Sequence, residues 1–474
     1  MGALVVALFF RQQIVNGFTL LSSDRYDGVI FIALLEHWFN VLRGLAEWNR
    51  PHYFFPYAKT LGYNDGYFLY GLIYALFRGG SLDPLLSGEL VNVVLKALGF
   101  GAFLLAARRM LGLSFWWALL GAALFTLANN SYVQVGHAQL LAVAFVPLEA
   151  LLMHEAWQAL LGARRWRFVG FASAAVLLYA AWGMSAVYTA WFFGLFTAIF
   201  VLTHMLLGGL TTLAGVQRAL RPNKLALLAV GVLAVAALAP FADAYWFGPH
   251  GPRAWDEVAL YSPSVFDSVN VGAGNLLFGD LIAYLKHACR ACDLGGGERE
   301  AGIAPLLFAL AALAVAQALR GSRGRRGASP LLIGALALAS TATWLLAVRV
   351  GTYTGWHYVY ALWPGATGLR VVARIFLFLS APACALAVWY LSGRARAWPR
   401  LLTAALCCLL LAEEKSISGR RCSWTATTNC GAPRRCRRRR RRAAPSMPAH
   451  RRTATPAPRP ATWRRRWCTI SMRC

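Results

Sequence analysis

Carboxylate side chains in the first polar segment of the chain could take a proton from a substrate. Asp24 and Asp27 stand three residues apart just beyond an apolar stretch, so one helical turn can place both on the same face. Repulsion and desolvation at a lipid boundary raise the pKa of at least one member of such a pair, which suits a general base. The alternative is an N-cap by Asp24, with Asp27 complementing the dipole of the next helix.

Glu36, His37 and Asp65 extend this polar group along the same segment. Glu36 and His37 fall in residues 29–44, whose spacing predicts an amphipathic helix lying along the membrane, with an apolar stripe of Ile32, Leu35, Phe39 and Leu42. Such a helix would turn Glu36 and His37 toward the polar side, where the alternative is that both are simply solvated. A divalent metal held by Asp27 and Asp65 stays an open alternative, and no other cofactor is indicated.

Two arginines mark the start of a late apolar stretch. Arg370 and Arg374 are four residues apart and share one helical face. An arginine at membrane depth is costly and usually faces a polar cavity or an anion, so the pair would suit a phosphate or pyrophosphate. The alternative is that both extend to the headgroups. His137 begins another apolar stretch, where a single histidine is more often packed than catalytic.

Helices that cross a membrane must position these residues. The chain of 474 residues is 58% hydrophobic and 14% charged, against about 45–50% and about 25% in soluble domains. Many apolar stretches approach the roughly 20 residues that cross about 30 Å of hydrocarbon. We predict an all-α polytopic protein with about eleven spans, near residues 1–20, 88–107, 114–129, 138–157, 168–182, 187–207, 225–243, 301–319, 328–348, 372–393 and 401–412. Residues 1–10 lack a basic leader and a cleavage site, so no cleaved signal peptide is expected.

Charge predicts the orientation of these spans. Five short connections carry fifteen positive charges and no acid, and the positive-inside rule places them in the cytoplasm: 108–109, 164–167, 218–224, 320–326 and 394–400. With these connections inside, residues 21–87 all lie on the outer face only if residues 67–77 do not span the membrane. This stretch is short and rich in Tyr and Phe, which suits a helix that lies in the interface. The first loop (about 21–87) and a large loop (about 244–300) then face outward. The pair Cys289 and Cys292 falls in the second loop, where either a disulfide or two free thiols fits better than a metal site.

Residues 415–474 differ from the rest in composition. They hold one Lys and 17 Arg without any acid, which accounts for +18 of the net charge of +28. The basicity of the whole chain is therefore poor evidence for nucleic-acid binding, and no nucleic-acid partner is expected. One hypothesis is a disordered basic tail. The preferred hypothesis is a frameshift near Glu414, because a GC-rich gene read out of frame yields such runs of Arg, Ala, Pro and Cys.

The pattern of residues 1–414 resembles the GT-C superfamily of integral-membrane glycosyltransferases, in particular its little-characterised bacterial members. The resemblance rests on an acidic motif in a long first outer loop (residues 24–28), amphipathic helices after it, further spans, and a Pro-rich loop entering the helix with Arg374. It implies transfer of a sugar from a polyprenyl-phosphate carrier to a glycan, lipid or protein acceptor, usually with inversion. The active face would be the extracytoplasmic side of a bacterial inner (plasma) membrane.

The resemblance also assigns roles to residues. It implies Asp24 or Asp27 as the base on the acceptor hydroxyl, which leaves Asp65 or Glu36 to orient the substrate or bind a metal and Arg374 to hold the phosphate. His37, His137 and Arg370 are further candidates for substrate binding. The alternatives are a membrane transporter or lipid flippase, and an inactive membrane protein truncated by a frameshift. Polar residues in the inner halves of the spans would favour transport.

Overall fold

The described residues of the computed structural model are 1–19, 21–23, 26–246, 251–320, 329–395 and 397–416, with the backbone of two short strands beyond them. They are mostly helical, with almost no strand. The first part of the chain forms α1 Gly2–Phe9, α2 Arg11–Val15, α3 Asp27–Leu42, α4 Phe68–Gly79, α5 Pro84–Arg109, α6 Phe115–Leu127, α7 Asn129–Val133, α8 Phe145–Leu161 and α9 Arg165–Gly183.

The second part continues the helical bundle and adds two short pairs of antiparallel strands. Its helices are α10 Val187–Leu220, α11 Lys224–Phe241, α12 Trp255–Leu260, α13 Gly279–Ala288, α14 Pro305–Leu319, α15 Pro330–Ala347, α16 Trp356–Leu362, α17 Ile375–Arg394 and α18 Arg400–Glu413. Strands β1 Arg349–Val350 and β2 Tyr353–Thr354 pair antiparallel, as do β3 Ser423–Trp424 and β4 Met472–Arg473. The rest of the predicted tail lies outside the described residues.

Six helical stretches are long and apolar enough to cross a membrane. They are Pro84–Arg109, Ala138–Leu161, Val187–Leu210, Thr212–Trp246, Pro330–Ala347 and Val372–Arg394. The all-α membrane architecture is thereby supported, although the predicted count of about eleven spans is not reached by length and composition. Residues 68–79 form a helix of 12 residues, roughly 18 Å long, which is too short to cross alone, as predicted.

The predicted first span is divided in the structure. Residues 1–20 form two short helices that meet at Phe10, so they do not make one long apolar rod. After the break, two polar side chains reach hydrogen-bond partners within the protein. In a straight span the same side chains would lie in lipid. Gln13 donates a hydrogen bond to Ser22 Oγ (2.8 Å), and Arg11 donates one to the Ser416 carbonyl. The need to satisfy these groups favours the break over a continuous helix.

Helix α17 is the centre of the bundle. It contacts α6, α14, α15 and α10, and 89% of its span is buried, against 6% for the more apolar span Thr212–Trp246. Its two ends define two sides of the bundle. We call the side with Arg374 and the long segments the loop side, and the side with Arg394 and the described residues of the short basic connections the basic side.

The loop side is held together by contacts between distant segments. Cys289 and Cys292 form a disulfide, so of the two sequence alternatives the bonded form is present. Glu413 caps α14 by accepting hydrogen bonds from the backbone N–H groups of Leu306 and Leu307, both at 2.8 Å. The Glu414 carboxylate accepts one from the Asn129 N–H (2.6 Å). The end of α18 thus packs into the same assembly as the loops.

Candidate functional site

Asp27 and His137 form a close pair on the loop side. Asp27 opens α3, and His137 precedes the 3-10 segment Ala138–Ala144 that leads into α8. The distance from His137 Nδ1 to Asp27 Oδ2 is 2.6 Å. The hydrogen bond with His137 lowers the pKa of Asp27, burial opposes this, and the positive charges of Arg374 and Arg370 lower it further. The sequence predicted a raised pKa for at least one member of the Asp24–Asp27 pair. The pKa of Asp27 is lowered instead, chiefly by the hydrogen bond with His137, and Asp24 lies outside the described residues.

Arg370 and Arg374 share one carboxylate, that of Glu298. Arg370 Nη2 lies 2.6 Å from Glu298 Oε1, and Arg374 Nη2 lies 3.1 Å from Glu298 Oε2. Arg374 is 5% exposed, and its Nε has no hydrogen-bond partner among the described residues. A second carboxylate, Glu257, lies 3.9 Å from Arg370 Nη1. Arg374 does not extend into the headgroups but is buried at the rim of the site.

Aromatic rings support both guanidinium groups. The Arg374 guanidinium lies 5.0 Å from the centre of the Tyr188 ring, and that of Arg370 lies 5.1 Å from the Tyr261 ring. The Tyr188 hydroxyl also accepts hydrogen bonds from the backbone N–H groups of Arg370 (2.9 Å) and Val371 (3.3 Å). Since each ring stabilises a cation and limits its movement, the arginines are positioned before any ligand arrives.

Asp65 joins the site from the first loop. Its Oδ1 accepts a hydrogen bond from the Val187 N–H (2.7 Å) in the first turn of α10. Burial raises the pKa of Asp65 to about 6, although the bond from Val187 and the charges of Arg374 and His137 oppose the rise. Gln139, two residues after His137, also forms a hydrogen bond with Asp65. Asp65 therefore links the first loop to α10 beside the Asp27–His137 pair.

The remaining sequence candidates lie elsewhere. Asp24 is outside the described residues. Glu36 Oε1 accepts hydrogen bonds from Arg78 Nε (2.6 Å) and the Tyr74 hydroxyl (2.9 Å), so it joins α3 to α4. His37, predicted on the polar side, is buried, and its Nε2 lies 3.0 Å from the Trp48 carbonyl. Burial lowers the pKa of His37. The contacts of Glu36 and His37 thus hold α3 against α4 and the first loop.

The shift of His37 into the interior follows from how α3 packs. Its buried apolar residues are Phe31, Leu34, Leu35 and Trp38, whereas Leu42 of the predicted stripe is 55% exposed. The Trp38 indole N–H donates a hydrogen bond to the Gly66 carbonyl (2.5 Å), and a Cβ at Gly71 would lie 2.4 Å from Trp38 Cβ. Close packing against α4 at Gly71 rotates the helix relative to the predicted stripe.

Sequence reasoning missed Glu298 and Tyr188. Glu298 stands in a loop beside Gly295–Gly297, and an acid next to such a run was the available signal. Tyr188 lies in an apolar stretch, and nothing in the sequence marked it as a site residue. Among the residues that the structure describes, no group of three or more His, Cys, Asp or Glu side chains could hold a metal ion. The site therefore pairs carboxylates with a histidine and two arginines, which suits proton removal beside an anion.

No protein-family model matches the chain. No curated protein matches it either. The function is therefore argued from the geometry alone.

Proposed function

We propose that this protein is a GT-C-type glycosyltransferase that moves a sugar from a polyprenyl-phosphate carrier to an acceptor hydroxyl. The observation that carries the proposal is the Asp27–His137 pair within electrostatic reach of Arg370 and Arg374; these residues come from three separate parts of the chain. A base and an anion clamp side by side are what inverting transfer from a phosphate requires.

The proposed orientation follows from charge. The sequence has fifteen positive charges in five short connections, which favour the cytoplasm, so the loop side would face outward from a bacterial inner membrane. About eleven crossings are compatible with this orientation if the shorter apolar helices, such as Pro305–Leu319, also span. The carrier would then keep its chain in the bilayer and present its phosphate at the level of Arg374.

The chemistry assigns one task to each group. The Asp27–His137 pair takes the proton of the acceptor hydroxyl as its oxygen bonds to the anomeric carbon of the sugar. The bond from that carbon to the phosphate oxygen breaks, and polyprenyl phosphate leaves with the electron pair. Arg370 and Arg374 stabilise the charge that develops on this leaving group. Attack opposite the leaving group inverts the anomeric centre.

Glu298 holds the place that the phosphate needs. Its two oxygens contact one guanidinium each, and a phosphate presents its oxygens to arginine in the same bidentate manner. The donor phosphate thus competes with Glu298 for the arginines. The glycines at 295–297 allow the backbone beside Glu298 to change conformation, so the carboxylate can withdraw when the donor binds.

Transport is the competing function, and the buried polar groups of α5 bear on it. Glu89 accepts hydrogen bonds from the Ser22 N–H (2.7 Å) and hydroxyl (2.8 Å). Lys96 donates one to the Thr126 carbonyl (3.0 Å). Because these groups are satisfied within the protein, they support its packing better than a path for a transported substrate. This favours the enzyme over a transporter or flippase.

The test is sugar transfer by the purified protein in proteoliposomes. The donors are polyprenyl phosphates that carry radiolabelled glucose, mannose, galactose or arabinose, and release of polyprenyl phosphate is measured beside transfer. We expect Asp27→Asn, alone or with Asp24→Asn, to lower turnover at least a hundredfold, since general bases contribute about 10²–10⁴. The matched control is Glu47→Gln, because Glu47 lies in the same loop with its side chain 71% exposed. Equal turnover by Asp27→Asn and wild type would remove Asp27 from the mechanism.

A further inference from the structure

A cavity of about 460 Å³ lies between α8, α9, α10 and α11, away from the Arg374 site. Its volume falls in the range of small-molecule sites, about 300–1,000 Å³. The lining is mostly apolar and runs along α9 from Tyr179 to Phe168, roughly 16 Å at 1.5 Å per residue. Met153 lines it and is 37% exposed, so the cavity reaches the surface of the bundle that faces lipid.

One acidic side chain stands in this apolar lining. Glu149 is 2% exposed, and its Oε2 has no hydrogen-bond partner among the described residues. An ionisable side chain inside a membrane span is costly, and such residues usually serve a function. Glu149 is the only acid among the residues that line the cavity, and no Lys, Arg or His lines it. Its Oε2 is therefore free to accept a hydrogen bond from a ligand as far as the described residues show.

Tyr179 marks the same end of the cavity as Glu149. Its hydroxyl donates a hydrogen bond to the Ala190 carbonyl (3.2 Å). A Cβ at Gly194 would lie 2.5 Å from that hydroxyl, so glycine at 194 makes the space for it. The cavity thus has a polar end at Glu149 and Tyr179. Its other end is apolar, at Trp157, Leu160 and Phe168.

We propose that this cavity binds a single-chain lipid with a hydroxyl head group, which hydrogen-bonds the Glu149 carboxyl while its chain lies along α9. The apolar lining along α9, roughly 16 Å long, offers a surface for one hydrocarbon chain. A phosphate or carboxylate head would meet an acid without any cation to offset it. An ammonium head would have to form an ion pair in an apolar interior, where desolvation cancels much of the attraction. A neutral hydroxyl satisfies the unpaired oxygen at the least cost.

The test uses photoreactive hexadecanol, with a diazirine near the end of its chain, in proteoliposomes of the full-length protein. Mass spectrometry locates the adducts. We expect labelling at Trp157, Leu160 and Phe168 that exceeds labelling by a hexadecane with the same diazirine. Glu149→Leu should lower it about three- to tenfold, the value of one hydrogen bond. Glu149→Gln, which keeps a polar group in the same shape, should retain most of it.

Two further variants keep the test independent of folding. Ala175→Phe fills the cavity and should abolish labelling by both probes at these three residues. Leu177→Ala, on the same helix but 51% exposed and outside the lining, should change nothing. Equal labelling of wild type and Glu149→Leu would overturn the proposal, and so would equal labelling by the alcohol and the hydrocarbon. Stronger labelling by a matching hexadecylamine would overturn the hydroxyl assignment.

Discussion

Arg374 and Arg394 stand at the two ends of one span, and they differ in almost every contact. Arg374 is buried against Glu298 and lies over the ring of Tyr188, a residue of another helix. Arg394 is exposed and lies over Tyr390 of its own helix, 5.5 Å from the ring centre. The same residue type is thus built into a site at one end and left to solvent or headgroups at the other.

The partners of an arginine at the end of a membrane span therefore indicate whether it belongs to a functional site. At the basic side, charge is spread over short connections and needs only water or lipid headgroups. At the loop side, three distant segments supply acids and aromatic rings to two arginines. Since desolvating a cation is expensive, such an arrangement persists only where its partners offset the cost.

We expect substitution of Arg374 to weaken the binding of polyprenyl phosphate far more than substitution of Arg394. Arg374→Ala should weaken binding of polyprenyl phosphate about a hundredfold or more, because loss of one partner from a buried charge pair costs about 3–5 kcal/mol. Arg394→Ala should change binding less than twofold. Binding is measured in detergent by thermophoresis, with polyprenol as the control ligand that lacks the phosphate. Similar losses in both variants would break the distinction between the two ends of α17.

Substitution of Glu298, whose carboxylate contacts Arg370 and Arg374, should strengthen the binding of polyprenyl phosphate, and the effect should be smaller than that of Arg374→Ala. Glu298→Gln removes the negative charge that competes with the phosphate for Arg370 and Arg374, so polyprenyl phosphate should bind about tenfold tighter. The matched control is Glu300→Gln, two residues away, which pairs with Lys286 and not with the arginines. Weaker binding by Glu298→Gln would show that Glu298 supports the clamp without competing for it.

The smallest expected effect concerns Asp65 and pH. Because burial raises the pKa of Asp65 to about 6 from its usual 3.8, the folded chain binds more protons than the unfolded chain between these values. Stability should therefore fall as pH rises through this window and become level above it. In the wild type this fall should lower the unfolding temperature by a few degrees. Asp65→Asn should show no such fall.

The control for that measurement is the Asp27 carboxylate, whose pKa shift has the opposite sign to that of Asp65. Its pKa is lowered, so the stability it contributes is present at higher pH and is lost only as pH falls below its usual range. Asp27→Asn should leave the slope between pH 4 and 6 unchanged. Parallel unfolding curves for wild type and Asp65→Asn would contradict the burial argument for Asp65.

Local patterns predicted those parts of the fold that depend on local chemistry. The short helix α4 and the spans of α5 and α15 follow from apolar length and from end signals, such as Asp83 capping α5 before Pro84. Packing between distant segments was not predictable in this way. The break at Phe10, the rotation of α3 and the burial of His37 depend on side chains far away in the sequence.

The candidate site shows the same division. Asp27, Asp65, His137, Arg370 and Arg374 could be selected from the sequence by residue type and position at the ends of apolar stretches. Their mutual contacts, and the direction of the pKa shift at Asp27, depend on which of them the fold brings together. Glu36 was selected by the same reasoning, yet it pairs with Arg78.

The most direct test asks on which side of the membrane each end of α17 lies. Tyr57→Cys and Arg394→Cys are introduced separately, since Tyr57 is 73% exposed in the first loop and Arg394 ends α17. Intact spheroplasts are treated with a membrane-impermeant maleimide, and mass spectrometry reads the modified residue. The account predicts that Tyr57→Cys reacts in intact cells and that Arg394→Cys reacts only after permeabilisation. The reverse pattern would place the Asp27–Arg374 site at the cytoplasmic face and contradict the account.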